Sequence, residues 1–100
     1  MNEKECCQIQ KAHHSPEFKR KISNRLNRIE GQIRGVKRMV DEDVYCDDIL
    51  NQVASIKSAM DGVAKELLGA HMKSCVAEQI RDGHDEVIEE LFYTIKKLLK

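Results

Sequence analysis

Residues 46–82 read CDDILNQVASIKSAMDGVAKELLGAHMKSCVAEQIRD, and the fold turns on them. Apolar side chains recur at Ile49, Val53, Ile56, Met60, Val63 and Leu67, widened by Leu50, Ala64 and Leu68. The stripe continues through Met72 and Val76 to Ile80. Steps of three and four place these residues on one helix face. No proline interrupts the run, although Gly62 and Gly69 weaken it, and Arg81 followed by Gly83 marks its end. The spacing predicts a helix over residues 46–82 of roughly 37 residues, about 55 Å long at 1.5 Å per residue. Helices average only ~11–12 residues.

The flanking segments are shorter. Ser15-Pro16-Glu17 is a helix start: a capping hydroxyl, a proline at the first helical position, and a carboxylate at the positive end of the dipole. Phe18, Ile22, Leu26, Ile29, Ile33, Val36 and Val40 then form one stripe, so a first helix is expected from Pro16 to Asp41. Asp41 to Asp48 is the connection. A last helix is expected from Asp85, burying Ile88, Leu91, Phe92, Ile95, Leu98 and Leu99. Residues 1–14 have no sustained period and read as a flexible tail, leaving residues 15–100 as a single helical domain. The fold class is therefore all-α, a three-helix protomer. A last helix of about 16 residues cannot cover the long one. Its uncovered apolar length points to an oligomer in which two long helices pack antiparallel across a two-fold axis.

Composition narrows the function. The chain has 100 residues, with 17 Lys and Arg balanced by 17 Asp and Glu, which excludes a uniformly basic packaging protein. The balance hides a split: residues 1–40 hold ten basic and four acidic side chains, whereas residues 41–100 hold seven and thirteen. Between Lys19 and Arg38, eight basic residues oppose only Glu30, a distribution suited to a polyanion. No apolar run approaches the ~20 residues of a membrane span and no hydrophobic leader is present, so a cytoplasmic location is expected. In that compartment four cysteines suit metal, redox or core positions rather than a disulfide framework.

Cys46 stands at the start of the long helix, and His71 and Cys75 near its end, four residues apart on one face. Cys46 precedes His71 by 25 residues, about 20° short of seven full turns at 100° per residue. All three face one way, but about 37 Å of helix separates Cys46 from His71. One straight helix cannot bring them to one ion. Two copies crossing antiparallel near Ala59 and Met60 can, giving two equivalent Cys-His-Cys sites between subunits. Two thiolates and an imidazole suit Cu(I); Zn(II) would call for a fourth ligand, which Cys6, Cys7, His13 or His14 of the tail could supply as an accessory metal or thiol cluster. The plainer alternative keeps Cys46 and Cys75 as small core residues.

Three motifs in order, RLNRIEGQIRGV at 25–36, DVYCDDIL at 43–50 and HMKSCV at 71–76, resemble the copper-sensing repressor family, CsoR, and its broader CsoR/RcnR-like metal-sensitive relatives. The resemblance covers residues 17–100. It implies an antiparallel four-helix-bundle dimer, usually paired into a homotetramer. It further implies a repressor, not an enzyme, whose metal-free form binds operator DNA and is released by inducer, with no membrane or RNA partner. In the copper branch the ligands match Cys46 of one chain and His71 and Cys75 of the other, one Cu(I) per protomer. Tyr45 and Glu90 match outer residues that orient the site. Arg25 matches the family arginine of the first helix; Lys19, Lys21, Arg28, Lys37 and Arg38 join it as DNA-binding candidates by charge. Nickel/cobalt sensors replace the second cysteine with histidine, persulfide sensors lack the histidine, and formaldehyde sensors lack the second cysteine. This chain has Cys46, His71 and Cys75, which favours copper, with zinc, nickel/cobalt or persulfide sensing, or a copper buffer that ignores DNA, as alternatives.

Overall fold

A computed structural model of the chain describes residues His14–Leu99. All regular structure among these residues is helical: α1 (Pro16–Asp41), α2 (Cys46–His71), a π-helical turn (Met72–Val76), α3 (Ala77–Arg81) and α4 (Val87–Leu98). α2, the π turn and α3 follow one another without a break, so the chain has three helical segments as expected. The expected 46–82 helix, however, is not α-helical throughout. No described helix is long and apolar enough to cross a membrane.

Local chemistry sets the ends. The Ser15 side-chain oxygen accepts from the Phe18 amide at 3.1 Å, and Pro16 opens α1. α1 closes with Asp43 in the left-handed region at φ 56°. The Val44 amide donates to the Met39 carbonyl at 3.0 Å and the Asp43 amide to Val40 at 3.2 Å, the paired bonds of a Schellman cap. The same cap ends α3. Gly83 has φ 88°, the His84 amide donates to Gln79 at 2.8 Å, and the Gly83 amide donates to Ile80 at 3.0 Å. Asp85 and Glu86 then lie in a turn, so α4 begins at Val87, two residues later than expected.

The chain divides into two compact units, Ser15–Lys65 and the described residues from Glu66 onward. In the first, Ile22 and Ile29 of α1 meet Val63 of α2, with Phe18, Ile56 and Ala59 packed around them. All but Ala59 lie on the stripe predicted for their helix, and fully burying a large apolar side chain is worth ~1.5–3 kcal/mol. In the second unit Cys75, Val76 and Val87 are buried, and α4 packs on the π turn.

Much of the predicted stripe is not buried within one chain. Val40 is 56% exposed, Leu50 62%, Phe92 63% and Leu99 80%. The expectation that α4 buries Ile88, Phe92, Leu98 and Leu99 does not hold for the single protomer. All four are exposed, and Val87 is the α4 residue that is fully covered. Apolar side chains continuous with the core stripes yet facing solvent are surface that a second subunit can cover.

Candidate metal centre and nucleic-acid interface

Cys46 is the first residue of α2, and His71 is its last. The Tyr45 carbonyl accepts from the Asp48 and Ile49 amides at 3.0 and 3.3 Å, anchoring the turn that carries Cys46. Cys46 is exposed and carries a free thiol; Tyr45 beside it is 74% exposed. Cys75 also has a free thiol but is 2% exposed, inside the π turn. His71 is half-buried. Every residue from Cys46 to His71 is α-helical.

The step from His71 to Cys75 crosses into the π turn. There the Ala77 amide donates to the Met72 carbonyl, five residues back. A local cause is visible. The Ser74 hydroxyl donates to the Ala70 carbonyl at 2.7 Å, a side-chain bond to the preceding turn that competes with the backbone ladder and bends helices. A π turn takes more residues per revolution than an α turn. The α-helical offset of about 40° for a four-residue step therefore does not carry over from His71 to Cys75. Helical periodicity gave no sign of this, and π turns are often found at functional sites.

Among the described residues, no three His, Cys, Asp or Glu side chains gather closely enough in one chain to hold a metal ion. The donors nevertheless fit a soft cation: two free thiols, one buried and one accessible, and an imidazole at the edge of the buried cysteine's turn. Glu90 is exposed in the first turn of α4, the helix that packs on the π turn. Cys6, Cys7 and His13 lie outside the described residues, and His14 precedes the Ser15 cap of α1.

The basic candidates on α1 do not form one patch. By helical phase, Lys21, Arg25 and Arg28 fall within about 60° of one another, while Lys19 and Lys37 share a different flank. Lys19, Lys21, Arg28, Lys37 and Arg38 are exposed. Arg25 is half-buried, and its guanidinium comes within 3.8 Å of where a Cβ on Gly62 would stand. An open depression lined by Arg25, Arg28, Ile29, Ala59 and Gly62 results. Gly62, read from sequence only as a weak point of the helix, lines the depression beside the arginine.

Residues 18–97 match the family model described as metal-sensitive transcriptional repressor. The copper-sensing transcriptional repressor CsoR of Bacillus subtilis (strain 168) is 47% identical over 89 residues, 88% of each chain. Among solved structures, the copper-sensing repressor CsoR with Cu(I) from Geobacillus thermodenitrificans NG80-2 superposes with a TM-score of 0.82 at 42% identity. That match covers 88% of this chain and 93% of the other. The nickel-responsive transcriptional regulator InrS gives a TM-score of 0.70 at 41% identity, covering 85% and 97%.

Proposed function

The chain belongs to the family of metal-sensitive transcriptional repressors, and from that premise we propose that it is a Cu(I)-responsive repressor. Its metal-free form binds operator DNA, and copper releases it. Family membership makes it a regulatory protein and not an enzyme.

The observation that carries the copper reading is the donor set. Cys46, His71 and Cys75 are one imidazole and two free thiols, a soft set, in a chain similar along most of its length to a repressor solved with Cu(I). One ion per protomer is held between subunits, by Cys46 of one chain with His71 and Cys75 of the partner subunit. The spacing of the three residues supports this, because antiparallel crossing near Ala59 and Met60 brings the donors level. So do the exposed apolar side chains of the single protomer, which an antiparallel four-helix-bundle dimer, paired into a tetramer, would cover. When bound, Cu(I) supplies a soft cationic centre that thiolates and imidazole ligate together. Tyr45, next to Cys46, and Glu90, on the helix packed against the π turn, serve as orienting groups.

Operator contact is assigned to Lys21, Arg25 and Arg28 on one flank of α1, with Lys19, Lys37 and Arg38 adding charge. These groups position the protein on phosphates and make binding strongly salt-dependent. Release follows from linkage: drawing Cys46 toward the other subunit's donors favours an arrangement in which the basic flanks no longer fit the duplex. Shifting such an equilibrium from 1:99 to 99:1 takes ~5.5 kcal/mol of differential binding.

The test is an anaerobic Cu(I) titration of reduced protein on a labelled fragment of its own promoter, followed by anisotropy, with Zn(II), Ni(II) and a persulfide donor in parallel. Release near one Cu(I) per protomer, lost in Cys46→Ala, is the expected result. Release by Ni(II) and not Cu(I) would move the chain toward the behaviour named for InrS. Failure to bind promoter DNA at any low salt would leave copper buffering.

A further inference from the structure

Gln32 carries a polar atom that the single chain leaves unused. Its side chain is half-buried, and its carbonyl oxygen, Oε1, is closed to solvent with no hydrogen-bond partner among the described residues. An unpaired buried oxygen is a cost that a methionine of the same length would avoid. The phase of α1 shows what lies beside it. Measured from the buried Ile29 at 100° per residue, Gln32 falls about 60° to one side, between Arg25 at about 40° and Arg28 at about 100°, with Lys21 at about 80°. Leu26 and Ile33 fall about 60° and 40° to the other side, where they are 37% and 46% exposed. The apolar surface left for a second copy is therefore across α1 from Gln32. On its own side, the residues one turn away are Arg28, Ile29, Gly35 and Val36, none of them acidic. Arg28 and Ile29 also line the depression that Arg25, Ala59 and Gly62 complete.

We propose that Gln32 is an uncharged contact to the operator backbone, donating from its amide nitrogen to a phosphate oxygen beside Arg25 and Arg28. The inference rests on the reading above that this flank of α1 faces the duplex. A glutamine amide has two N–H donors and one acceptor oxygen, and it is among the side chains that bond phosphate oxygens. Arginines attract the polyanion over a distance. An amide adds a short, directional bond, which fixes where along α1 the phosphate sits. With its N–H group on phosphate the amide turns outward. Its oxygen then comes within reach of water or of the Arg28 guanidinium, one turn back, which has five N–H donors. Binding thus gives the oxygen a partner that it lacks in the free chain. The amide is neutral, so this contact releases no counterion.

The experiment follows binding of the metal-free protein to a labelled fragment of its own promoter by anisotropy across a salt series, for wild type, Gln32→Met and Gln32→Glu. Single phosphates of the fragment are replaced in turn by neutral methylphosphonates. Gln32→Met keeps the length of the side chain and removes the unpaired oxygen, so its Tm should not fall. It should bind about tenfold more weakly, the scale of one hydrogen bond to a charged group, with an unchanged salt slope. Gln32→Glu, which sets a carboxylate against phosphate, should bind more weakly still. Replacement of one particular phosphate should cost the wild type about tenfold more than it costs Gln32→Met, the sign of a direct coupling. A glutamine needed only for packing would lower the Tm of Gln32→Met and leave that variant as sensitive as wild type to every replacement. That result, or unchanged affinity in both variants, overturns the proposal while the operator reading stands on Arg25 and Arg28. Unaltered salt dependence in Arg25→Ala and Arg28→Ala overturns the flank reading and this inference with it.

Discussion

The two cysteines differ in burial, and that difference can be separated from their shared role by stability alone. Cys46 is exposed and Cys75 is 2% exposed. Replacing Cys46 with alanine removes no packed volume, so metal-free stability should stay within about 0.5 kcal/mol, as for surface sites generally. Replacing Cys75 with alanine deletes one buried heavy atom. The cost should be about 1 kcal/mol, comparable to deleting a single buried methyl group. For a domain of this size that is a fall of roughly 4–8 °C in Tm. Cu(I) should act the other way on the wild type. Free ligand at 100 times Kd stabilises by ~2.7 kcal/mol, or a rise of roughly 10–20 °C. Each alanine variant should lose most of that rise. The assay is anaerobic thermal unfolding at one protomer concentration, since an oligomer's Tm depends on concentration. Equal metal-free Tm losses for the two variants would refute the burial argument. A full Cu(I)-induced rise in Cys46→Ala would refute the shared site.

Three further outcomes test other parts of the reasoning. Arg28→Ala and Arg25→Ala should each weaken operator binding and lower its salt slope by about 1, with Cu(I) stoichiometry unchanged; unaltered salt dependence would remove that flank of α1 from the interface. Met60→Glu places a carboxylate on an exposed apolar position at the proposed two-fold crossing. Sedimentation should then show dissociation, and persistence of the wild-type assembly would refute the antiparallel register. Gly83→Ala forces a Cβ into a backbone with φ 88° and should destabilise the chain by about 1 kcal/mol, read as a lower denaturation midpoint. An unchanged midpoint would show that the α3–α4 corner tolerates another cap.

What the sequence discloses is what depends on near neighbours. The first helix begins and ends where Ser15, Pro16 and the aspartates say, because caps are settled within one turn. Gly83 marks its corner for the same reason. The π turn leaves no such trace. The apolar residues Met72, Val76 and Ile80 keep a four-residue spacing across it, and the group that disturbs the ladder, the Ser74 hydroxyl, acts through a side-chain bond that no hydrophobic pattern records. Residue type and spacing single out Cys46, His71 and Cys75. The approach of Arg25 to Gly62 joins positions 37 apart in the chain, so it needed the packing of α1 on α2 to be seen. The exposure of Phe92 and Leu99 shows the converse limit: periodicity marks a face for burial without saying which chain will bury it.

That last point bears on how a metal could control DNA binding in so small a protein. A site contained in one compact unit would place the ion's binding energy in that unit's own stability. In the proposed ligand set the donors are divided. Cys46 belongs to the unit that contains α1 and its basic flanks, whereas His71 and Cys75 fall beyond Lys65, in the other. If each ion is shared between chains, its binding energy depends on how the basic unit of one subunit is held against the cysteine–histidine turn of its partner. If the α1 flanks are the operator contact, as proposed, the duplex selects among the same arrangements, because flanks on separate α1 helices can match phosphates only in particular relative positions. Metal and DNA then compete for one geometric variable, and linkage requires each to weaken the other by the same factor. On the proposed ligand set, the buried Cys75 is the ligand fixed in its turn and the exposed Cys46 is the one drawn to it.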